Sequence, residues 1–388
     1  MEDREKLPAD KLIADRGKMP EEELFEAREK ALADKLIGEH TLSLGEYEEL
    51  LTNRDSATAE YLASAADAVR RQYYGTKVFV RGLIEISNIC KNDCLYCGIR
   101  RSNRNCERYR LSAEEILACA EEGYTIGIRT FVMQGGEDGY YTDDVMCGII
   151  RTIKERHPDC AVTLSLGERS RESYRKLREA GADRYLLRHE TANKEHYGKL
   201  HPPEMSYDNR MRCLRDLREL GYQTGCGFMV GSPYQTMGNL AEDLRFIETF
   251  RPEMCGIGPF VPHHETLFAA EPAGSVELTC FLLSVIRLIH PRVLLPATTA
   301  LGTMHPQGRE LGILAGANVV MPNLSPVEVR KQYELYDNKI CTGEESAQCI
   351  RCLASRIGSI GYEIVTDRGD FAAEQSPSAE RGNPAAEQ

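Results

Sequence analysis

The sequence predicts an α/β fold in which parallel βα units close into a (β/α)8 barrel, with helices ahead of it and a disordered C-terminal tail behind. Three observations carry this expectation. Short apolar, β-branched runs alternate with longer segments of helical period. The span from Val78 to Pro322 is close to the roughly 250 residues that such a barrel occupies. Polar, glycine-rich residues recur just after the runs, where a barrel gathers them onto one face. An open doubly wound sheet is the alternative, because counting strands does not prove closure.

In chain order, residues 1–75 form an N-terminal helical extension. Ser43 and Glu46 have capping-box spacing ahead of Tyr47, Leu50 and Leu51, and an alanine-rich helix over 57–73 ends near Gly75. The barrel is expected over 76–325. Its strand-like runs are VFVRGLIEIS (78–87), TFVMQ (130–134), AVTLSL (161–166), RYLLR (184–188), QTGCGFMV (223–230), CGIGPF (255–260), RVLLPA (292–297) and NVVMP (318–322). Helical patterns lie between them at 112–122, 142–156, 171–180, 207–220, 239–250, 277–289 and 307–315. Residues 326–366 form a C-terminal segment with three closely spaced cysteines. Residues 367–388 are polar and rich in Pro, Gly, Ser and Glu, and are predicted to be disordered.

The formal net charge is −12, with 60 acidic against 48 basic residues. That excludes nonspecific binding to nucleic acid or to an anionic membrane, both of which need a positive field. No run approaches the roughly 18 apolar residues of a spanning helix, and Met1 to Lys18 has no apolar h-region of a secretory signal. A cytoplasmic location is therefore expected. The 14 cysteines then read as reduced thiols or metal ligands. Most are isolated (Cys119, Cys147, Cys213 and Cys280 in helical patterns; Cys160, Cys226 and Cys255 in or beside strands) and suit small buried hydrophobes.

Cys90, Cys94 and Cys97 escape that reading. They form C-x3-C-x2-C directly after the first strand. Three thiolates on one loop can cap three irons of a 4Fe–4S cube, which normally takes four cysteines. The iron left open can accept S-adenosylmethionine (SAM) through its amino and carboxylate groups, and an electron passed to the sulfonium would release a 5′-deoxyadenosyl radical. A zinc knuckle or a buried cysteine trio is the alternative, but zinc sites usually add a second Cys/His pair and none follows closely. Tyr96 suits contact with adenine.

Gln134-Gly135-Gly136-Glu137-Asp138 follows the second strand, where glycines admit close backbone approach and Glu137 could bond an ammonium. On the fourth strand Leu186, Arg188 and Glu190 share one face, with Leu187 and His189 on the other. Arg188 and Glu190 at a barrel mouth imply a ligand or an internal ion pair, while His189 faces the helices. Thr163 and Ser165 share a strand face, and Thr298 and Thr299 follow the seventh run; such hydroxyls could orient a polar ligand. Cys341, Cys349 and Cys352 form C-x7-C-x2-C, an accessory cluster site, a zinc site or unligated thiols. No P-loop, dinucleotide fingerprint or Ser–His–Asp arrangement occurs.

Together the cysteine loop, LYCGIRRSN, QGGED, VTLSLGE, ADRYLLRHETAN, MVGSP, GIGPF, PATTALGT and GANVVMPN resemble the FeFe-hydrogenase maturase family HydE, over roughly residues 20–360. That family belongs to the radical-SAM enzymes, near biotin synthase and methylornithine synthase. The resemblance implies a TIM-type radical-SAM barrel with one SAM-bound 4Fe–4S cluster near its top. It implies a role in building the two-iron subcluster of the hydrogenase H-cluster, with the radical adding to sulfur of an iron–cysteine species that carries CO and cyanide. The sister maturases HydG and HydF are the implied partners, with a ferredoxin or flavodoxin as electron donor. Carried over by motif, Cys90, Cys94 and Cys97 would bind the cluster. Tyr96 would lie by adenine, Gly136 and Glu137 would hold the methionine moiety, and Glu190 and Arg210 would contact SAM. Arg188, Thr163, Thr298, Thr299 and Tyr333 would line the substrate cavity, and Cys341, Cys349 and Cys352 would match an accessory second iron–sulfur cluster. Two other readings are a relative acting on a free amino acid, as methylornithine synthase does, and an electron carrier.

Overall fold

The computed structural model describes residues 21–342 and 350–372. Three helices come first: Glu21–Glu39, Leu44–Asn53 and Ser56–Tyr74. The second opens on the predicted capping box, with Ser43 and Glu46 satisfying each other's backbone N–H groups. The third stops at Gly75, whose φ of 59° is a conformation that favours glycine. These helices pack outside the sheet: the Tyr47 hydroxyl and the Thr41 hydroxyl both donate to Glu248, each at 2.8 Å.

Eleven strands follow among the described residues. They are β1 (Lys77–Val80), β2 (Gly82–Ser87), β3 (Thr130–Gly135), β4 (Ala161–Ser165), β5 (Arg184–Leu186), β6 (Gln223–Cys226), β7 (Met229–Val230), β8 (Met254–Cys255), β9 (Gly258–Pro259), β10 (Val319–Val320) and β11 (Glu363–Val365). The strands β2-β3-β4-β5-β6-β8 make a parallel sheet in that order, with helices between successive strands. β2 is buried along its whole length, the signature of a parallel strand covered on both faces. The order continues through isolated parallel bridges: Met254 to Leu294, Pro296 to Val319, and Leu83 back to Asn323.

The α/β expectation therefore holds, while the full eight-stranded ladder is not formed by the named strands. The runs at 292–297 and 318–322 supply single bridges and a two-residue strand where whole strands were expected. The first run breaks at Arg81, and its first half, β1, joins β10 and β11 in a separate sheet. The runs at 223–230 and 255–260 each divide in two. Gly227, at φ 151°, lies so close to the second run that a Cβ there would meet the Gly256 carbonyl oxygen at 2.0 Å.

The tail expectation needs a correction at its start. Residues 367–372 pack beneath the sheet, because Asp370 supplies a carboxylate that buried Arg184 requires, at 2.6 Å. Arg368 adds an ion pair to Asp183, and Phe371 packs with the cluster of Tyr74 and Phe79. Residues 373–388 lie outside the described residues. No described helix is long and apolar enough to cross a membrane.

Candidate active site

The cysteine loop leaves the C-terminal end of β2 and is tied down on every side by backbone bonds. The Arg108 guanidinium donates to the carbonyls of Asn88, Ile99, Arg100 and Asn103. Asn88 binds the Gln332 carbonyl at 2.7 Å and accepts from the Tyr109 N–H at 2.8 Å. Within the loop the Cys97 N–H donates to the Cys94 carbonyl. The loop after β3 lies directly on it. The Glu137 N–H points at the Cys90 sulfur at 3.4 Å, and the Lys91 N–H donates to the Glu137 carbonyl. This close approach explains Gly136: a Cβ there would meet the Ile89 carbonyl oxygen at 2.2 Å and Cys90 Cβ at 2.8 Å.

The three cysteines are free thiols and half-buried. Burial pushes each of them up, Cys97 to about 12. Thiolate ligands therefore become favourable here only when positive charge arrives with the metal. Their sulfurs do not converge on a point as single-ion ligands do. Tetrahedral zinc holds its sulfurs about 3.8 Å apart. Among the described residues the one trio of candidate ligand atoms within 4.8 Å of each other is His263, His264 and Asp337. Those two imidazoles are stacked, with centroids 4.5 Å apart and planes 15° apart. Their in-plane lone pairs run parallel instead of meeting, and His263 Nδ1 already accepts the Glu265 N–H, so that trio is a poor ion site. The three cysteine sulfurs do not form such a trio within 4.8 Å of one another, a spacing wider than one zinc ion sets.

Glu137 is held by the Glu168 N–H at 3.0 Å and by Lys91 Nζ at 3.0 Å. Glu190 takes φ 66°, strained for a residue with a Cβ, where β5 passes into its loop. Arg188 and Glu190 approach to 3.2 Å, yet Arg188 Nη2 and Glu190 Oε2 are misaligned for a hydrogen bond. The predicted ion pair is thus present and incompletely satisfied. His189 sits on the opposite face, buried between Asp243 Oδ1 at 3.1 Å and the Gly227 N–H. Arg210 reaches in from the helix Tyr207–Glu219 to Glu168 Oε1 at 2.6 Å and the Arg188 carbonyl at 2.6 Å. Burial works against its charge, but Tyr197 and Glu168 outweigh burial and raise its pKa. The Tyr96 hydroxyl meets His201 Nε2 at 3.2 Å, and burial drives that imidazole down to about 3, leaving it neutral.

Thr163 Oγ1 and Thr298 Oγ1 are buried without a hydrogen-bond partner. Thr298 stands at the N-cap of the helix Thr299–Met304, where a threonine ordinarily bonds the first turn, and makes no such bond. Tyr333 is buried, and its hydroxyl accepts from Gln134 Nε2 at 3.3 Å. Hydroxyls, a guanidinium and a carboxylate left short of partners on the strand ends suit a polar ligand. The cysteines, Tyr96, Gly136, Glu137 and Glu190 lie on loops at the carboxyl ends of the strands, and Arg210 reaches toward them from its helix. Cys341 is apart: it is buried and accepts from Arg309 Nη2 at 2.8 Å. Cys352 is exposed on the helix Ile350–Ser359, and Cys349 lies outside the described residues, so an accessory cluster is not shown.

Sequence reasoning missed Glu168, His201, Glu85, Lys339 and Cys106. Glu85 carried a usable signal, a lone acid inside an apolar strand run. Cys106 lies in the cysteine loop's own continuation, with its sulfur 3.5 Å from Asn88 Nδ2.

Residues 84–247 match the model of the Radical SAM superfamily. The chain is 47% identical over 321 residues to the [FeFe] hydrogenase maturase subunit HydE of Thermotoga maritima, covering 83% of this chain and 91% of that protein. The chain belongs to the HydE family. It is a radical SAM enzyme that acts in hydrogenase maturation, and its family implies a 4Fe–4S cluster and SAM. It is also 30% identical to the 3-methylornithine synthase of Methanosarcina barkeri, over 88% of this chain and 96% of that one. Among solved structures, methylornithine synthase (PylB) superposes with a TM-score of 0.75 at 28% identity, over 86% of this chain and 97% of that one. The FeFe-hydrogenase maturase HydG shares the fold at a TM-score of 0.71 and 22% identity, over 88% of this chain and 76% of that one.

Proposed function

We propose that this HydE-family enzyme cleaves SAM reductively and directs the resulting radical to sulfur of an iron–cysteine species carrying CO and cyanide, a precursor of the two-iron subcluster. Cys90, Cys94 and Cys97 hold a 4Fe–4S cluster, which with SAM supplies one electron and a 5′-deoxyadenosyl radical. Tyr96 borders the adenine; its neutral partner His201 leaves the tyrosine as the polar group there. Gly136 gives the methionine moiety room beside the cysteine loop, Glu137 and Glu190 receive its ammonium, and Arg210 balances these carboxylates. Deeper in, Arg188 neutralises an anionic substrate while Thr163, Thr298, Thr299 and Tyr333 orient it. Residues 76–325 form the catalytic unit, with the bridges at Leu294, Val319 and Asn323 closing the barrel. HydG supplies the substrate, HydF receives the product, a ferredoxin or flavodoxin provides the electron, and the setting is cytoplasmic.

The observation that carries this reading is the set of buried donors left without a hydrogen bond at Arg188 (which has only its misaligned ion pair to Glu190), Thr163 and Thr298, which an anionic or cyanide-bearing ligand satisfies. The test is anaerobic incubation of the reconstituted enzyme with SAM, reductant and the iron–cysteine species. An adduct between the 5′-deoxyadenosyl group and the cysteine sulfur is expected by mass spectrometry. Turnover of lysine, with the iron–cysteine species recovered unchanged, would instead support the amino-acid reading.

A further inference from the structure

A buried ion pair that none of the roles above uses lies beside Tyr333. Glu85, in the middle of β2, is fully buried, and Lys339 is nearly so. Lys339 Nζ donates to Glu85 Oε1 at 2.5 Å, and Asn323 Nδ2 donates to Glu85 Oε2 at 2.9 Å. The same ammonium donates to the Tyr333 carbonyl at 2.8 Å and lies 4.9 Å from the centre of its ring. Lys339 belongs to a strap over 331–341 that crosses the strand ends. The strap touches the cysteine loop where the Gly98 N–H donates to the Leu335 carbonyl at 2.9 Å, and the 259–264 loop where the Asp337 N–H donates to the Pro262 carbonyl at 3.1 Å.

Burying two charges rarely gains stability over an apolar pair of equal volume, whereas it fixes geometry closely. A strap needing only an anchor could use packing. This one spends a carboxylate and an ammonium directly behind a tyrosine whose hydroxyl meets Gln134, the residue in register with Glu85 on the next strand. The tyrosine is therefore gripped at both ends by two neighbouring strands, its backbone through Lys339 and β2, its hydroxyl through β3. Both strands lead into the loops that hold Cys90 and Glu137.

We infer that Lys339 is a positioning residue: paired with Glu85, it fixes Tyr333 against the ends of β2 and β3 and so ties the wall of the substrate cavity to the cysteine loop. This rests on the site reading above for Tyr333 but needs no particular substrate identity.

The test uses the double variant Glu85→Gln/Lys339→Met, which removes both charges and leaves no lone buried ion. Full-length protein labelled with 3-fluorotyrosine reports Tyr333 by 19F NMR, its line among the 18 tyrosines being assigned with Tyr333→Phe. A single line is expected in the wild type and in Lys339→Arg, and a shifted, broadened line in the double variant at unchanged iron content. In turnover with the iron–cysteine species, KM should rise about tenfold with kcat little changed, as loss of a positioned contact predicts. The effects of the double variant and of Tyr333→Phe on KM should not add, since both act through one side chain. An unmoved Tyr333 line, or additive effects, would overturn the inference. If the wild type turns over no iron–cysteine species, the substrate reading fails, and the NMR result still decides the positioning role.

Discussion

Two cysteine triads in this chain each end in a C-x2-C pair and have different surroundings. Cys90, Cys94 and Cys97 sit on a loop fixed by Arg108, Asn88 and the overlying Gly136–Glu137 backbone, at the carboxyl end of a fully buried strand. Of the second triad, Cys341 is buried against Arg309 while Cys352 lies exposed on a helix. The difference teaches that spacing nominates a metal site and backbone anchoring qualifies it. Ligands must be held before the metal arrives, and the first triad has surrounding bonds that do so.

Substitutions can break this contrast or sharpen it. The largest effect is expected at Cys94→Ser, which removes a ligand from the anchored loop: 5′-deoxyadenosine formation should fall by at least about 10³, followed by liquid chromatography after reduction. Gly136→Ala leaves every ligand in place but drives a methyl into the Ile89 carbonyl at 2.2 Å. The displaced loop should lose about a hundredfold in rate, the scale of an ångström of misplacement at a reacting centre, with lowered iron content per chain. Glu168→Gln removes the charge that fixes Arg210 and should weaken SAM binding about tenfold, read by calorimetry on the reconstituted enzyme. Least of all, Cys341→Ser/Cys352→Ser should keep SAM cleavage within about twofold, or about 0.4 kcal/mol. A drop comparable with that of Cys94→Ser would make the second triad an equal partner and erase the contrast.

The anchored triad was legible in the sequence because its ligands are local: three cysteines within eight residues after an apolar run carry their own geometry. The strand-end loops were legible for a similar reason, since alternation places Arg188 and Glu190 on one face and His189 on the other. What escaped depends on contacts distant in sequence. Glu85 and Lys339 are 254 positions apart, and no local pattern pairs them. Glu168 reads as an ordinary loop acid until Arg210 arrives from another helix. The divided runs at 223–230 and 255–260 were hidden because their breaks come from two backbones meeting at Gly227 and Gly256. Residues 367–372 have a polar composition typical of disorder, and they are held where Asp370 pairs with buried Arg184 at 2.6 Å.

The proposed function requires the loop's three sulfurs to leave one iron without a protein ligand, although Cys106 follows only nine positions beyond Cys97 in the chain. Electron paramagnetic resonance of the anaerobically reconstituted, reduced enzyme, recorded with and without SAM, tests this directly. The account predicts about four irons per chain at this loop and a signal that changes when SAM is added. A signal indifferent to SAM in the wild type, becoming responsive in Cys106→Ser, would show that a fourth cysteine closes the cluster and would contradict the account.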